Sequence, residues 1–227
     1  MHPDVIAIVP ARGGSKGLPG KNTMELAGKP LYRHSVDAAL EAGISRVIIS
    51  TDIDEIFDHK LPAQVSVLRR PESLAGDNVP MKDVLLDVFK HQQIGASTVV
   101  LLQPTSPLRR PRHVSEGIEK FLSTEWTLVM SVCEAPSSVL KWGTVESNKF
   151  IPLSEPRFCF ANRQSLPAVF RPNGALYVFN SKQFVFDEDF NSDAIGPVLM
   201  TQAESLDIDT LEDFERCQRA LQGDDYR

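Results

Sequence analysis

Apolar residues recur along this chain in two alternating patterns. Short runs rich in β-branched residues, in the first half of the stretch 5–22 and again at 46–50, 65–68, 98–102 and 127–132, are too brief for helices and predict buried strands. Between them the apolar positions fall at helical spacing. Leu31, Val36, Ala39 and Leu40 predict a helix that Pro30 opens and Gly43 closes, and further helices are expected at about 79–93, 111–122 and 211–221. Strands alternating with helices predict an α/β chain whose mostly parallel sheet is covered on both faces, with ligands bound beyond the carboxyl ends of the strands.

The alternation breaks near residue 135. From there to 172 the chain carries prolines at 136, 152, 156 and 167, short runs such as Val139-Leu140-Lys141-Trp142 and Phe150-Ile151-Pro152-Leu153, and scattered aromatics. A β-rich excursion from the main sheet is expected here, serving either as an arm for a partner subunit or as a lid. Regularity returns with expected strands at 174–180 and 198–206. No repeat, linker or low-complexity tract divides the sequence, so residues 1–227 read as one domain.

With 42% hydrophobic and 24% charged residues, the composition is that of an ordinary soluble protein. The formal net charge of −6 argues against nucleic acid or a membrane surface as partner, because both reward a basic face. Any bound anion must be met by local charge. Such charge is concentrated between Arg12 and Lys29, where four cations (Arg12, Lys16, Lys21, Lys29) face one acid, Glu25. Gly13, Gly14, Gly17 and Gly20, with Pro19, let that stretch turn its N–H groups inward, and a polyanion such as a triphosphate fits the concavity. It is not a Walker loop, since Ser15 stands five before Gly20 and Asn22 replaces the magnesium-binding hydroxyl. Nor is it a dinucleotide fingerprint, because Gly13 and Gly14 are adjacent.

Cys133, Cys159 and Cys217 are odd in number and far apart, and read as reduced thiols rather than a disulfide framework or zinc site. Met1-His2-Pro3-Asp4 leads into the first strand without a basic start or cleavage site, and no apolar run approaches the roughly 18 residues of a membrane span. A cytoplasmic location is expected.

Further candidates for chemistry lie where strands are expected to end. Asp207-Ile208-Asp209 follows the 198–206 run. Carboxylates two apart on a strand share a face and can meet one hard cation, for which magnesium is the natural choice. Asp209 with Glu212 also has capping-box spacing for the last helix. Gln103, Thr105 and Ser106 project from a proline-braced loop after the 98–102 run. Arg70 follows another strand and can reach a base or phosphate, although a rigid turn and an exposed arginine pair explain these two sites as well. Lys141, Arg163 and Arg171 concentrate cations in the irregular arm, where a carboxylated substrate would suit them. The histidines at 2, 34, 59, 91 and 113 show no metal-ligand spacing and no nucleophile to serve, so no covalent mechanism is expected.

In their order, these motifs resemble the CMP-sialic acid synthetases, or acylneuraminate cytidylyltransferases. The residues that carry the resemblance are Pro10-Ala11-Arg12-Gly13-Gly14-Ser15-Lys16-Gly17-Leu18-Pro19-Gly20-Lys21-Asn22, Ser50-Thr51-Asp52, Arg70-Pro71-Glu72, Leu102-Gln103-Pro104-Thr105-Ser106-Pro107-Leu108-Arg109, Arg171-Pro172-Asn173-Gly174-Ala175 and Leu206-Asp207-Ile208-Asp209-Thr210. The resemblance implies a Rossmann-like, three-layer nucleotidyltransferase fold with a dimerisation arm at about 135–172. It implies transfer of CMP from CTP to the C2 hydroxyl of a nine-carbon 2-keto-3-deoxy sugar acid, in a magnesium-dependent homodimer. Arg12, Ser15, Lys16, Lys21 and Asn22 would meet the nucleotide's phosphates and ribose, Arg70 would lie near the cytosine, and Asp207 and Asp209 would hold the metal. Arg12, Lys21 and the two aspartates would carry the chemistry. Gln103 would face the sugar with Arg171, and Lys141 and Arg163 would meet its carboxylate from the partner subunit. Asn78-Val79-Pro80-Met81 departs from the small and hydroxyl residues usual there. Gly17 and Gly20 resemble the neuraminate and legionaminate branches more than the pseudaminate branch.

Overall fold

A computed structural model describes residues 5–123, 126–190 and 192–223; Met1-His2-Pro3-Asp4, read above as leading into the first strand, lies outside them. In chain order the elements are β1 (Val5–Ala11), β2 (Glu25–Leu26), β3 (Lys29–Pro30), α1 (Leu31–Glu41), β4 (Arg46–Thr51), α2 (Glu55–Asp58), β5 (Val65–Arg69), α3 (Met81–His91), β6 (Thr98–Leu101) and α4 (Pro111–Ser123). They continue with β7 (Leu128–Ala135), β8 (Gly143–Glu146), β9 (Lys149–Pro152), β10 (Val169–Asn180), α5 (Ser181–Asp187), β11 (Ile195–Met200) and α6 (Leu211–Gln222).

Seven strands form one sheet in the order β11-β7-β10-β6-β1-β4-β5. β1 lies between β4 and β6, parallel to both, and is buried on both faces, which is why its sequence is an unbroken apolar run. Alternate residues serve opposite layers. Val5, Ala7 and Val9 pack with Val36 and Ala39 of α1 and Val114 and Ile118 of α4. Ile6 and Ile8 pack with Leu85, Val88 and Phe89 of α3 and Phe184 of α5. Helices thus cover both faces, the α/β, Rossmann-like, three-layer arrangement that the sequence predicts. Every strand of this sheet except β10 runs the same way, so the carboxyl ends of β1, β4, β5, β6, β7 and β11 share one edge with the start of β10. The candidate residues converge there.

Several boundaries differ from expectation for local reasons. The helix expected from 79 begins at Met81, because Pro80 stays extended. The strand expected at 198–206 stops at Met200. Thr201 and Glu204 exchange side-chain and backbone hydrogen bonds, and Ser205 Oγ donates to the Thr201 carbonyl, folding 203–205 into a tight turn. The strand expected at 174–180 begins instead at Val169. Arg171-Pro172-Asn173-Gly174 lies inside it, at an irregularity where Gly174 takes a φ of +75°. The irregular arm contains a small hairpin, β8 with β9, turned by Ser147 and Asn148 in left-handed conformations, and three short 3-10 turns. The α2 and α5 helices and the β2–β3 ribbon were not foreseen.

Candidate active site

The loop after β1 folds back on itself. Gly20 N–H donates to the Gly13 carbonyl at 3.4 Å, and the buried Asn22 donates from Nδ2 to the Arg12 carbonyl at 2.8 Å. Asn22 Oδ1 is buried with no hydrogen-bond partner among the described residues. Lys16 is almost fully exposed, and Ser15 half-buried. Gly13 N–H donates to Asp52 Oδ1 at 2.8 Å, so the first turn of the loop is tied to the end of β4.

Two acids beyond parallel strands balance these cations. Asp77 receives Arg12 Nη1 at 2.5 Å and lies 3.6 Å from Lys16 Nζ. The Arg12 hydrogen bond, with Lys16 in support, holds the Asp77 carboxyl below its ordinary range. Asp52 is near enough to favour the charge of Arg70, whose guanidinium burial pulls down to about 10. Arg70 is buried and donates to the Ser50 hydroxyl and carbonyl, at 3.2 and 2.8 Å. The sequence assigned no role to Asp77 or Asp52. The available signal was that both follow strands whose carboxyl ends line the ligand edge.

The two distant halves of the chain meet at Lys21. Its buried ammonium donates to the Ile208 carbonyl at 2.5 Å and to Asp209 Oδ1 at 3.2 Å. Contact is also made by the backbone, since a Cβ on Gly17 would sit 2.3 Å from the Asp209 carbonyl oxygen. Asp207-Ile208-Asp209 is a loop and not a strand end, which corrects the sequence reading of its geometry. Its middle residue is apolar because Ile208 is a core residue, packed with Leu26, Leu31, Phe214 and Cys217. The Ile208 N–H donates to the Thr105 carbonyl at 2.8 Å.

Flanking that buried anchor, Asp209 is close enough to Asp207 for its charge to disfavour the ionisation of Asp207. Asp207 is reachable by solvent but hemmed in by chain, and this confinement raises its carboxyl above the ordinary value against an opposing hydrogen bond from Thr105. Asp209 does not cap the last helix. The cap is Thr210, in a reciprocal box with Asp213, so the expected pairing with Glu212 is replaced and the Asp209 side chain stays 77% exposed. Among the described residues no group of three or more His, Cys, Asp and Glu side chains is gathered as a metal centre.

Beside this junction, Gln103 is half-buried next to Gly174, where a built Cβ would come within 3.8 Å of Gln103 Oε1. Tyr177, stacked on Phe190, senses the Asp207 charge, and burial first and that charge second raise its hydroxyl. Neither aromatic was singled out from sequence. Farther along the edge, Lys141 Nζ donates to the Ala161 carbonyl at 2.5 Å, and Arg163 and Arg171 are exposed. Among the described residues no hydrogen bond or ion pair joins these three to the Arg12–Lys21 loop. Leu140-Lys141-Trp142 and Phe158-Cys159-Phe160 belong to the same arm, where Trp142, Val145, Phe150, Leu153 and Phe160 are all exposed. No helix among the described residues is long and apolar enough to cross a membrane.

Residues 6–218 match the model of a family described as cytidylyltransferase. The chain is 33% identical over 212 residues to an N-acylneuraminate cytidylyltransferase of Streptococcus agalactiae, covering 92% of this chain and 51% of that protein. It is also 33% identical over 229 residues to the CMP-N,N'-diacetyllegionaminic acid synthase of Legionella pneumophila, covering 96% of each. The chain thus spans about half the length of the streptococcal relative and nearly all of the Legionella one. In fold it is similar to a CMP:2-keto-3-deoxy-manno-octonic acid synthetase solved with CTP, at a TM-score of 0.69 and 19% identity over 96% of this chain and 98% of that one. The chain belongs to the cytidylyltransferase family, in the group of the CMP-sialic acid synthetases.

Proposed function

We propose that this protein transfers CMP from CTP to the C2 hydroxyl of a nine-carbon 2-keto-3-deoxy sugar acid, releasing pyrophosphate. One observation carries the reading: a glycine-rich cationic loop and a pair of carboxylates, 188 residues apart in the chain, are joined through Lys21 at the carboxyl edge of the sheet. Phosphoryl transfer asks a protein mainly for positioning and charge stabilisation, and these are the two sets of groups it needs.

On this reading Arg12, Lys16 and Lys21 bind the triphosphate and stabilise the charge that develops on the departing pyrophosphate. Ser15 and Asn22 hold the phosphates and ribose, Asn22 through its unpartnered Oδ1, and Arg70 lies toward the base. Asp77 leaves Arg12 and Lys16 when the triphosphate arrives. Asp207 and Asp209 would hold magnesium, and the donor set fits: two carboxylates without a third protein ligand suit a hard cation that keeps several waters and takes phosphate oxygens. When bound, that ion would supply charge neutralisation at the α-phosphate and a lowered pKa for the attacking hydroxyl. Gln103 and Arg171 face the sugar acid, with Lys141 and Arg163 reaching its carboxylate from a second subunit. The exposed apolar side chains of the arm support such a homodimer, because surface on this scale is usually covered.

Pyrophosphate release from CTP and magnesium, measured with N-acetylneuraminate, its deaminated analogue, diacetyllegionaminate and an eight-carbon octulosonate, tests the reading. A strong preference for one nine-carbon acid is expected, and the Legionella relative's name makes diacetyllegionaminate a required member of the panel. Preference for the octulosonate would reassign the substrate. Silence with all four while CTP still binds would overturn the reading in favour of a nucleotide-binding module.

A further inference from the structure

Arg109 has no role in the chemistry above, yet its charge is buried in the fold. It is 4% exposed, and burial lowers the pKa of its guanidinium with no acidic side chain offsetting the effect. Oxygen dipoles hold it instead. Nη1 donates to the carbonyls of Gln103 at 3.2 Å, Ser106 at 3.4 Å and Ala175 at 2.7 Å, and Nη2 donates to Ser35 Oγ at 2.5 Å. Ser35 Oγ in turn donates to the Gln103 carbonyl at 3.2 Å.

The acceptors belong to three segments: α1, the loop after β6, and β10 just beyond the left-handed Gly174. The last two are the ones that bring Gln103 beside Gly174. None belongs to the loop that follows β1. A buried charge without a counter-ion is a poor way to gain stability, since an apolar residue of similar volume would fill the space at lower cost. A rigid fork of donors, by contrast, sets the spacing of several carbonyls at once.

We infer that Arg109 is a positioning residue for the acceptor half of the site, fixing Gln103 against the Asn173–Ala175 segment of β10 so that the sugar acid meets a preset surface. The inference rests on the proposed sugar-acid reading and deepens it. Lysine at this position keeps the charge but offers one nitrogen where the guanidinium uses two, so it can reach some of the four acceptors and not span them.

The test compares Arg109→Lys, Arg109→Met and Ser35→Ala with the wild type in two measurements. In steady-state kinetics, Arg109→Lys should raise KM for the sugar acid about tenfold, the scale of effect that slight misplacement of a binding group produces, with KM for CTP changed less than about twofold. Ser35→Ala, which removes one acceptor and is the milder lesion, should move the same constant in the same direction, and it stands in if the Arg109 variants do not fold. In hydrogen exchange, amides of 103–106 and 174–176 should lose protection together in the variants while those of 13–22 keep theirs. Equal rises in both KM values, or lower stability with unchanged kinetics and uniformly raised exchange, would overturn the assignment. A wild type silent with every acid would overturn the substrate reading instead, and exchange would then decide the positioning role alone.

Discussion

Replacing Gly17 with alanine tests whether the cationic loop and the aspartate segment work as one unit. The new Cβ would lie 2.3 Å from the Asp209 carbonyl oxygen and 3.3 Å from its carbonyl carbon. Carbon and carbonyl oxygen meet at about 3.3–3.6 Å, so the two segments must part by roughly 1 Å. Both partners are backbone, and no side chain can rotate away to relieve the clash. Lys21 Nζ spans the same junction, 2.5 Å from the Ile208 carbonyl and 3.2 Å from Asp209 Oδ1, and a separation of that size takes the second contact out of hydrogen-bond range. Overpacking of this kind costs about 1–3 kcal/mol of stability. Misplacing reacting groups by about 1 Å costs roughly 100-fold in rate. The kcat for pyrophosphate release from CTP should therefore fall about 100-fold, with urea unfolding reporting a loss within the stated range. Gly28→Ala is the control. With a φ of +83° and no atom within 4 Å of a built Cβ, it carries backbone strain alone, about 1–2 kcal/mol, and should lose stability with kcat unchanged. Wild-type kcat and KM in Gly17→Ala would refute the claim that the two segments are held in register.

Asp77→Asn removes the internal anion from Arg12 and Lys16 and should tighten CTP binding severalfold by calorimetry; weaker binding would mean that Asp77 organises the cradle and does not compete for it. The Asp207 carboxyl, raised by burial above its ordinary 3.8, contributes stability that is fully present below that value and lost as pH rises through the higher one. Asp207→Asn, free of that loss, should melt above the wild type at pH 7 without divalent cations, and the gap should close toward pH 4; a lower melting temperature at pH 7 would contradict the sign. Phe160, 91% exposed on the arm, should lie in the subunit contact, so Phe160→Ser should shift the protein from dimer to monomer in sedimentation velocity and raise KM for the sugar acid. A wild type that sediments as a monomer would remove the arm's proposed role.

Patterns with a short physical range were legible in the sequence. β1 announces itself because both its faces are buried, and α1, α3 and α4 because one face of each packs on the sheet. Chain positions that answer to a distant partner misled. Residues 201–206 are expected to prolong the strand that Val198-Leu199-Met200 belongs to, yet Glu204 and Ser205 turn back on Thr201 and end it. Asp207-Ile208-Asp209 is expected at a strand end, and Ile208 is instead a core anchor in a loop. Arg109 could be read as part of a motif, but its partners at 35, 103, 106 and 175 come from three elements, and no local spacing encodes them.

The charge balance of the site is likewise set by partners distant in the chain. By sequence the loop is a cluster of four cations with one acid nearby, and the aspartates are a separate anionic pair. Folded, each cation already has an opposite charge. Arg12 and Lys16 share Asp77, and Lys21 is bound to Asp209. A triphosphate entering such a site exchanges one set of ion pairs for another. Its net attraction is then smaller than the cation count implies, and the gain depends on how easily Asp77 and Asp209 are released. Asp77 stands on an exposed loop beyond a 3-10 turn, free to withdraw. Asp209 is fixed next to the buried Ile208 and against Gly17, and cannot. On the proposed reading the first is displaced, while the second stays and needs a new counter-charge once Lys21 turns to phosphate, which is the place a divalent cation would fill.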